Sequence, residues 1–169
     1  MLSLGLYDNF LSQKEFDRLV DLYPTLPLKF NGNVSSSKDF TTEEWNWYAT
    51  YMFYKDEERS EYFQEVYDMF IPRFQKLGIF KSLRRIKLNC YPRTEILREH
   101  KAHTDYGYGN HHYGAVFSLN TCDGFTRLPD GSKANSIANR IVFFDAGKKH
   151  NSSTTTTKSA RYNINFNFL

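Results

Sequence analysis

The spacing of apolar residues changes near residue 80, and this change limits the folds that the chain can adopt. From residue 83 to residue 91 apolar and polar side chains alternate, and the closing run of residues 161–168 alternates in the same way. A period of two is typical of a β-strand whose two faces meet different surroundings. The polar face of the closing strand carries Arg161, Asn163, Asn165 and Asn167. That face either lies in water or forms the wall of a polar cavity.

Further strand candidates fill the interval between those two runs. Residues 45–54, which precede it, fit a short helix or a strand, and their alternating aromatic residues favour the strand. Several short strands behind a helical segment predict a barrel or a double-sheet jelly roll, in an α+β protein that is mainly β. The candidates within the interval are at about residues 101–106, 113–120, 124–127 and 136–145.

Residues 1–80 are expected to be mainly helical and to support the strands that follow. Ser12 and Glu15 form a capping box, which predicts a first helix over about residues 12–22. A second helix is expected over about residues 60–77, where large apolar residues recur at helical spacing.

The bulk properties of the chain favour one soluble domain. With 169 residues, 40% of them hydrophobic, it can bury a core without disulfides, and its net charge of +3 does not demand a nucleic-acid partner. Cys90 and Cys122 match no metal-binding or disulfide pattern. The chain has no apolar run long enough to span a membrane and no signal-peptide pattern. We expect residues 1–169 to form a single domain in the cytoplasm, with no membrane partner.

One short motif, His103-Thr-Asp105, places two metal-binding side chains two positions apart. In an extended strand such side chains point to the same side, so an imidazole and a carboxylate would lie together. A second histidine from elsewhere would complete a set of two histidines and one carboxylate, which suits Fe(II) and leaves coordination positions open. The motif is short enough to occur by chance, so its interpretation depends on the rest of the chain.

Four other histidines compete to be the third ligand. His100 lacks a carboxylate two positions later, and we expect it to be exposed before the strand. His111 and His112 fall in a loop rich in Gly and Asn, residues 106–113, which is expected to border the site in contact with solvent. His150 lies far downstream, between the last two strand candidates.

Taken in order, the motifs of the C-terminal half resemble those of the 2-oxoglutarate- and Fe(II)-dependent oxygenases. The matching pieces are Asn89-Cys-Tyr91, His103-Thr-Asp105, Leu119-Asn120 with Gly124-Phe-Thr126, residues 139–144, His150 and Arg161. The chain is similar to small prolyl-hydroxylase-like members found in bacteriophage genomes. The resemblance implies that residues 83–169 form a double-stranded β-helix, a cupin-like jelly roll, with the N-terminal helices packed against its larger sheet.

The resemblance also implies an Fe(II) dioxygenase that uses 2-oxoglutarate and O2 to hydroxylate its substrate. The iron would be held by two histidines and one aspartate, namely His103, Asp105 and His150. Arg161 would bind the distal carboxylate of 2-oxoglutarate, because a guanidinium pairs with a carboxylate through two hydrogen bonds. Three further residues are expected to contact the cosubstrate, namely Tyr91, Asn163 and Asn89.

Several neighbouring positions allow two interpretations. Lys87 faces the cavity or lies at its edge, and Asn120 and Thr126 either line the pocket or cap strand ends. The basic residues of the same region are mixed with glutamates and are expected to form an ordinary charged surface. These basic residues are Arg84, Arg85, Arg93, Arg98 and Lys101.

The sequence leaves the substrate open. The last strand lacks the Thr and the second Arg that nucleobase-demethylating relatives carry, so nucleic acid is not expected as a substrate. A protein or peptide side chain is favoured, and a free amino acid or small metabolite is the alternative. Two rival classes are a non-catalytic jelly-roll binding or virion protein and a cupin-type metalloenzyme, and neither needs a carboxylate clamp at Arg161. A viral origin would place the protein in the host cytoplasm.

Overall fold

Both helices of the described chain lie in its N-terminal half. The computed structural model describes residues 4–34, 43–78, 80–105 and 112–169. Helix α1 spans Gln13–Leu22 and helix α2 spans Phe63–Phe74, and neither is long and apolar enough to cross a membrane. The predicted capping box of α1 is confirmed, since the Glu15 N–H donates to the Ser12 hydroxyl and the Glu15 carboxylate accepts from the Ser12 N–H.

Within the described residues, eleven strands form two antiparallel sheets. In chain order they are β1 (Gly5–Tyr7), β2 (Lys29–Asn31), β3 (Tyr48–Lys55), β4 (Glu58–Arg59), β5 (Leu83–Pro92), β6 (Tyr113–Ser118), β7 (Phe125–Arg127), β8 (Lys133–Asn135), β9 (Arg140–Asp145), β10 (Asn151–Ser152) and β11 (Ala160–Phe168). The larger sheet has the order β1-β9-β6-β11-β5-β3-β2, with β4 paired to β3. The smaller sheet has the order β10-β7-β8. This is the mainly β, double-sheet architecture that the sequence predicts.

The apolar face of the larger sheet packs against α2. The ring of Phe166 on β11 lies 4.6 Å from that of Phe70 and 5.0 Å from that of Phe74, measured between centroids. Phe117 and Phe143, from two neighbouring strands, contact the same helix at 4.9 and 5.1 Å. Burial of each such side chain stabilises the fold by about 1.5–3 kcal/mol. The helix therefore supports the sheet from one side and leaves its other face to the site.

The opposite face of the larger sheet is polar, and it faces the smaller sheet. The pairing of β11 with β5 sets polar residues side by side, as Arg161–Tyr91, Asn163–Asn89, Asn165–Lys87 and Asn167–Arg85. Asn163 is 2% exposed and Asn167 is fully buried, so this face does not lie in water. Asn163 and Asn165 line a cavity, which confirms the cavity interpretation of the asparagine face.

Two features of the chain differ from the expected pattern. Of the strand expected at residues 101–106, the structure describes residues 101–105, and these form no strand: His103 makes only an isolated bridge with His150. A single bridge is not a strand. The two-residue spacing of His103 and Asp105 therefore predicted a strand that the fold does not form. Residues 1–80 supply β1 to β4 as well as the two helices, and most of those strands are too short to show a period. The strand favoured at residues 45–54 is confirmed as β3.

Candidate metal and anion-binding site

The three predicted metal ligands, His103, Asp105 and His150, converge in the structure. Backbone hydrogen bonds of 2.9 Å in both directions join His103 to His150. His103 Nε2 lies 3.8 Å from Asp105 Oδ1, and His150 Nε2 lies 3.9 Å from Asp105 Oδ2. One ligand atom of each residue lies within 4.8 Å of the other two. A single metal ion between these atoms would require only small side-chain movements.

Hydrogen bonds on the outer side of each imidazole orient its Nε2 toward Asp105. Nδ1 of His150 lies 3.0 Å from the carbonyl oxygen of Lys148, and Nδ1 of His103 lies 3.3 Å from that of Lys101. A carbonyl only accepts, so each Nδ1 carries a proton, and in the neutral ring Nε2 then keeps its lone pair for a metal ion. Nε2 of His150 is buried and has no hydrogen-bond partner among the described residues. A metal ion would satisfy that atom.

Asp105 is held as a carboxylate by its surroundings. Burial alone would raise its pKa, but the charge of Arg85 and the hydrogen bond from Asn167 keep that pKa below its ordinary value. Asn167 donates a hydrogen bond of 2.7 Å to Oδ2, and Arg85 Nη2 lies 3.5 Å from Oδ1. Burial lowers the pKa of His150, which favours the neutral ring. Two imidazoles and one carboxylate suit Fe(II), so the residues present fit that ion.

Arg161, at the start of β11, is a buried cation. Only 1% of the residue is exposed. Its Nε donates to Ser136 Oγ at 2.7 Å, its Nη2 donates to Thr126 Oγ1 at 2.9 Å, and its Nη1 donates to the carbonyl of Ser153 at 3.3 Å. It forms an ion pair with no carboxylate among the described residues. These bonds leave one N–H free on each terminal nitrogen.

The position of Arg161 depends on the missing side chain of Gly124. A Cβ at Gly124 would lie 2.6 Å from Arg161 Cδ and 2.6 Å from the carbonyl oxygen of Thr154. Burial lowers the pKa of Arg161, so the surroundings disfavour the uncompensated cation. A buried charge is stable only when it is paired, and a bound anion would supply that pair.

Tyr91 lies beside Arg161 and belongs to a buried network with His100. The Arg161 guanidinium carbon lies 5.5 Å from the centre of the Tyr91 ring, and that ring stacks on Tyr48. Burial raises the pKa of Tyr91 to about 12, so its hydroxyl stays protonated at neutral pH. Ser152 hydrogen-bonds to this hydroxyl, and its Oγ also lies 2.9 Å from Nδ1 of His100.

Two predictions about the competing histidines are wrong. His100, expected to be exposed, is 3% exposed because the rings of Trp45 and Tyr91 lie against it. His112, expected in a solvated loop, is buried next to the start of β6. His111 lies outside the described residues. Within the part of the chain that the structure describes, neither buried histidine joins the metal cluster.

One cavity lies beside the metal cluster, with His103 and His150 in its wall. Its volume is about 30 Å³, and it is partly open to solvent. Thr126 lines it and accepts the Nη2–H of Arg161, so the guanidinium lies directly behind the cavity wall. Asn89 is not among the lining residues, and its amide instead donates to Asn163 at 2.9 Å. The residues that line the cavity include Tyr91, His103, His150, Asn163 and Asn165.

The remaining candidates separate into two groups. Thr126 lines the cavity, whereas Asn120 supports the backbone, since it donates to the carbonyl of Ala160 and accepts from Tyr162 N, both at 2.9 Å. Lys87 lies on the polar face of the larger sheet, next to Asn165. The expectation of an ordinary charged surface is wrong for Arg85, whose side chain is 18% exposed and pairs with Asp105.

Sequence reasoning missed Ser136 and Asn167 as residues of the site. The alternation of the last strand placed Asn167 on the correct face, but its contact with Asp105 depends on how a distant segment packs. Ser136 lies between β8 and β9 and accepts a hydrogen bond from Arg161 Nε. No motif or spacing in the sequence signals that contact.

The chain has the fold of the 2-oxoglutarate- and Fe(II)-dependent oxygenases, a double-stranded β-helix. Solved structures of that class match nearly its whole length, which confirms the predicted fold. No protein-family model matches the sequence, and no curated protein matches it.

Three of the matching structures illustrate the similarity. A prolyl hydroxylase from Trichoplax adhaerens, in complex with a peptide fragment of hypoxia-inducible factor, is 16% identical with a TM-score of 0.64, covering 96% of this chain and 82% of that chain. The viral collagen prolyl hydroxylase of Paramecium Bursaria Chlorella virus-1, in complex with 2-oxoglutarate, is 12% identical with a TM-score of 0.60, covering 96% and 93%. HygX from Streptomyces hygroscopicus, with nickel and 2-oxoglutarate bound, is 10% identical with a TM-score of 0.62, covering 96% and 81%.

Proposed function

We propose that the protein is an Fe(II) dioxygenase that uses 2-oxoglutarate and O2 to hydroxylate a substrate, releasing succinate and CO2. One observation carries the proposal. The metal ligands His103 and His150 line the same cavity as Thr126, and Thr126 holds the side chain of Arg161, a buried cation that pairs with no carboxylate of the described residues. A binding jelly roll or a cupin-type enzyme without cosubstrate has no need for such a cation. The shared fold supports the same activity.

The metal cluster would hold the iron and leave positions for cosubstrate and O2. His103, Asp105 and His150 are the donors, and Fe(II) with 2-oxoglutarate supplies the oxidising chemistry that protein side chains lack. The protein contributes by holding the metal ligands in position. The carbonyl of Lys148 orients the His150 ring, and Asn167 orients the carboxylate of Asp105. Such outer contacts usually change metal affinity by about 10- to 100-fold when they are removed.

Arg161 would bind the distal carboxylate of 2-oxoglutarate. Its two free N–H groups, one on each terminal nitrogen, match the two oxygens of a carboxylate. The raised pKa of Tyr91 keeps the neighbouring hydroxyl available as a hydrogen-bond donor. Asn163 lines the same cavity and offers an amide, and Asn89 would act on the cosubstrate through its hydrogen bond to Asn163.

We propose a side chain of a protein or peptide as the substrate. Two of the similar structures are prolyl hydroxylases, and one of them is in complex with a peptide. A free amino acid or another small metabolite is the alternative, and nucleic acid is not expected. Cys90 and Cys122 are both free thiols, which fits the reducing cytoplasm where we place the protein.

Anaerobic titration with Fe(II) and 2-oxoglutarate tests the proposed cofactors, because their chelate absorbs weakly in the visible range. We expect the band with the wild-type protein and its loss in His103→Ala. A wild-type protein without the band, or a band that persists unchanged in His103→Ala, contradicts the assignment. Aerobic release of succinate, together with the gain of one oxygen atom by a substrate in mass spectrometry, tests the hydroxylation itself.

The role of Arg161 is tested by comparing the affinities for cosubstrate and for metal. Arg161→Ala should raise the dissociation constant of 2-oxoglutarate at least about tenfold, since a charged hydrogen-bond pair contributes about 1.5–3 kcal/mol. The affinity for Fe(II) should fall much less. Arg18→Ala, which removes an arginine far from the cavity, is the matched control and should change neither constant. Equal loss of both ligands in Arg161→Ala would rule out the clamp role.

A further inference from the structure

Two cations of β5 lie on the polar face of the larger sheet, on the side of the metal cluster. Arg85 Nη2 is 3.5 Å from Asp105 Oδ1, and the cross-strand neighbour of Arg85 is Asn167, which donates to the same carboxylate. Lys87, two residues further along the strand, is the neighbour of Asn165, a residue of the cavity wall. Arg85 therefore contacts the metal cluster, and Lys87 lies beside a residue of the cavity wall on the same face of the sheet.

The charge of this pair is not balanced by the protein. Asp105 is the single carboxylate that pairs with Arg85 among the described residues, and Lys87 forms no ion pair with any carboxylate of that part of the chain. Nε of Arg85 is buried without a hydrogen-bond partner among those residues. Once Asp105 binds a metal ion, its charge no longer compensates the two cations. The loaded site would thus have an excess of positive charge beside the metal.

Packing alone does not explain a lysine at this position. The Lys87 ammonium lies 5.1 Å from the centre of the Tyr48 ring, and Tyr48 stacks on Tyr91. Burial, and to a lesser extent the charge of Arg85, lower the pKa of Lys87 to about 7, so the surroundings penalise its charged form. A methionine would fill the same space against Tyr48 without that penalty. An anionic ligand would offset the cost of burying the charged ammonium.

The distal carboxylate of 2-oxoglutarate is too far away to be that anion. On β5, Tyr91 is the cross-strand neighbour of Arg161, which is the clamp of the proposed function. A strand rises about 3.3 Å per residue, so Lys87 and Arg85 lie roughly 13 and 20 Å along β5 from Tyr91. The anion that neutralises them must come from another molecule in the cavity or from the opposite end of the cosubstrate.

We propose that Lys87, assisted by Arg85, binds an acidic group of the substrate and so selects substrates with a carboxylate close to the carbon that is oxidised. This inference rests on the proposed function and narrows its substrate class. The carboxylate could belong to the side chain of Asp or Glu in a peptide, or to the free α-carboxylate of an amino acid. Both sources present the same chemistry to the two cations.

The test uses the anaerobic protein with Fe(II) and 2-oxoglutarate, and it measures how probes change the visible band of the chelate. One arm compares a pool of blocked pentapeptides with central Asp or Glu against the matched Asn and Gln pool. The other arm compares L-proline and L-glutamate with their α-carboxamides. We expect the acidic probes of at least one arm to bind about tenfold or more tightly than their amides, and the responding arm identifies the source of the carboxylate.

Variants of Lys87 show whether that preference comes from its charge. Lys87→Met should reduce the ratio of acid to amide affinity about tenfold, and Lys87→Arg should restore it. Lys14→Met, which removes an exposed lysine of α1, is the matched control. The inference is overturned if no acidic probe is preferred, if Lys87→Met keeps the wild-type ratio, or if Lys87→Met abolishes the band itself. A wild-type protein without the band instead refutes the proposed function.

Discussion

At the scale of single residues, the site depends on the contacts that enclose Arg161. A guanidinium removed from water is stable only when its N–H groups find acceptors. Ser136, Thr126 and the carbonyl of Ser153 supply those acceptors from separate segments of the chain. The side chain is thus held in one orientation before any ligand arrives, and binding needs little further ordering.

Gly124→Ala should weaken the binding of 2-oxoglutarate. The new Cβ would lie 2.6 Å from Arg161 Cδ and from the carbonyl oxygen of Thr154, so the guanidinium must move. We expect the dissociation constant of 2-oxoglutarate to rise about tenfold or more, because displaced charged hydrogen bonds cost about 1.5–3 kcal/mol. Titration of the visible band measures it. Gly32→Ala, whose Cβ would meet only Phe30 at 3.8 Å, is the control, and equal constants in both variants would contradict the steric argument.

His100 should make the stability of the protein depend on pH. Burial lowers its pKa from 6.5 to about 4, so between these values the unfolded chain binds a proton that the native protein does not bind. Stability is therefore complete above pH 6.5 and falls as the pH decreases toward 4, by at most about 3 kcal/mol. Urea unfolding across this window measures the slope. His100→Asn should flatten it, and parallel curves for variant and wild type would refute the role of His100.

The metal ligands could be predicted from the sequence, but most of the residues around them could not. His103 and Asp105 are two positions apart, so local geometry alone brings them together. Ser136 reaches Arg161 only after the two sheets face each other. Trp45 covers His100 from a segment far earlier in the chain, which is why the exposure of that histidine was predicted wrongly.

At the scale of elements, β11 contributes side chains to both faces of the larger sheet. Its apolar residues pack toward α2, and its asparagines face the cavity, as the period of two predicts. The identity of the asparagine that meets each ligand was not predictable, because it depends on the register of β11 with β5. In the segment after residue 100 the same period of two was misleading. It predicted a strand, but His103 there makes only an isolated bridge with His150.

Asn167→Ala should weaken the metal site from this strand. The amide donates a hydrogen bond of 2.7 Å to Asp105 Oδ2, and its loss frees the carboxylate to rotate. We expect the affinity for Fe(II) to fall about 10- to 100-fold, as measured by anaerobic titration. Asn135→Ala, at an exposed position of β8, should bind Fe(II) like the wild type. An unchanged affinity in Asn167→Ala would show that Arg85 and the histidines hold the carboxylate without help.

At the scale of the whole molecule, one core joins the helices to the strands that carry the site. Phe70 of α2 contacts Phe117 on β6 and Phe166 on β11, and the other face of the same sheet carries Arg161 and Asn167. The N-terminal half therefore has no separate apolar core within the described residues, because its buried side chains belong to the cluster of the larger sheet. We infer that the chain unfolds as one domain.

Phe70→Ala tests this inference, because it removes a fully buried ring at the junction of helix and sheet. The free energy of unfolding should fall by about 3–5 kcal/mol, the usual cost of such a cavity. Urea unfolding should be followed by circular dichroism, which reports the secondary structure, and by tryptophan fluorescence, which reports on Trp45 beside His100 and on Trp47 beside Phe30. If the chain is one cooperative unit, both signals will shift to the same lower midpoint.

Ile96→Ala, at a position 67% exposed, should change the midpoint little. Separate midpoints would instead show that the helices and the site unfold independently, and then losses of stability in α2 would spare the binding of metal and cosubstrate.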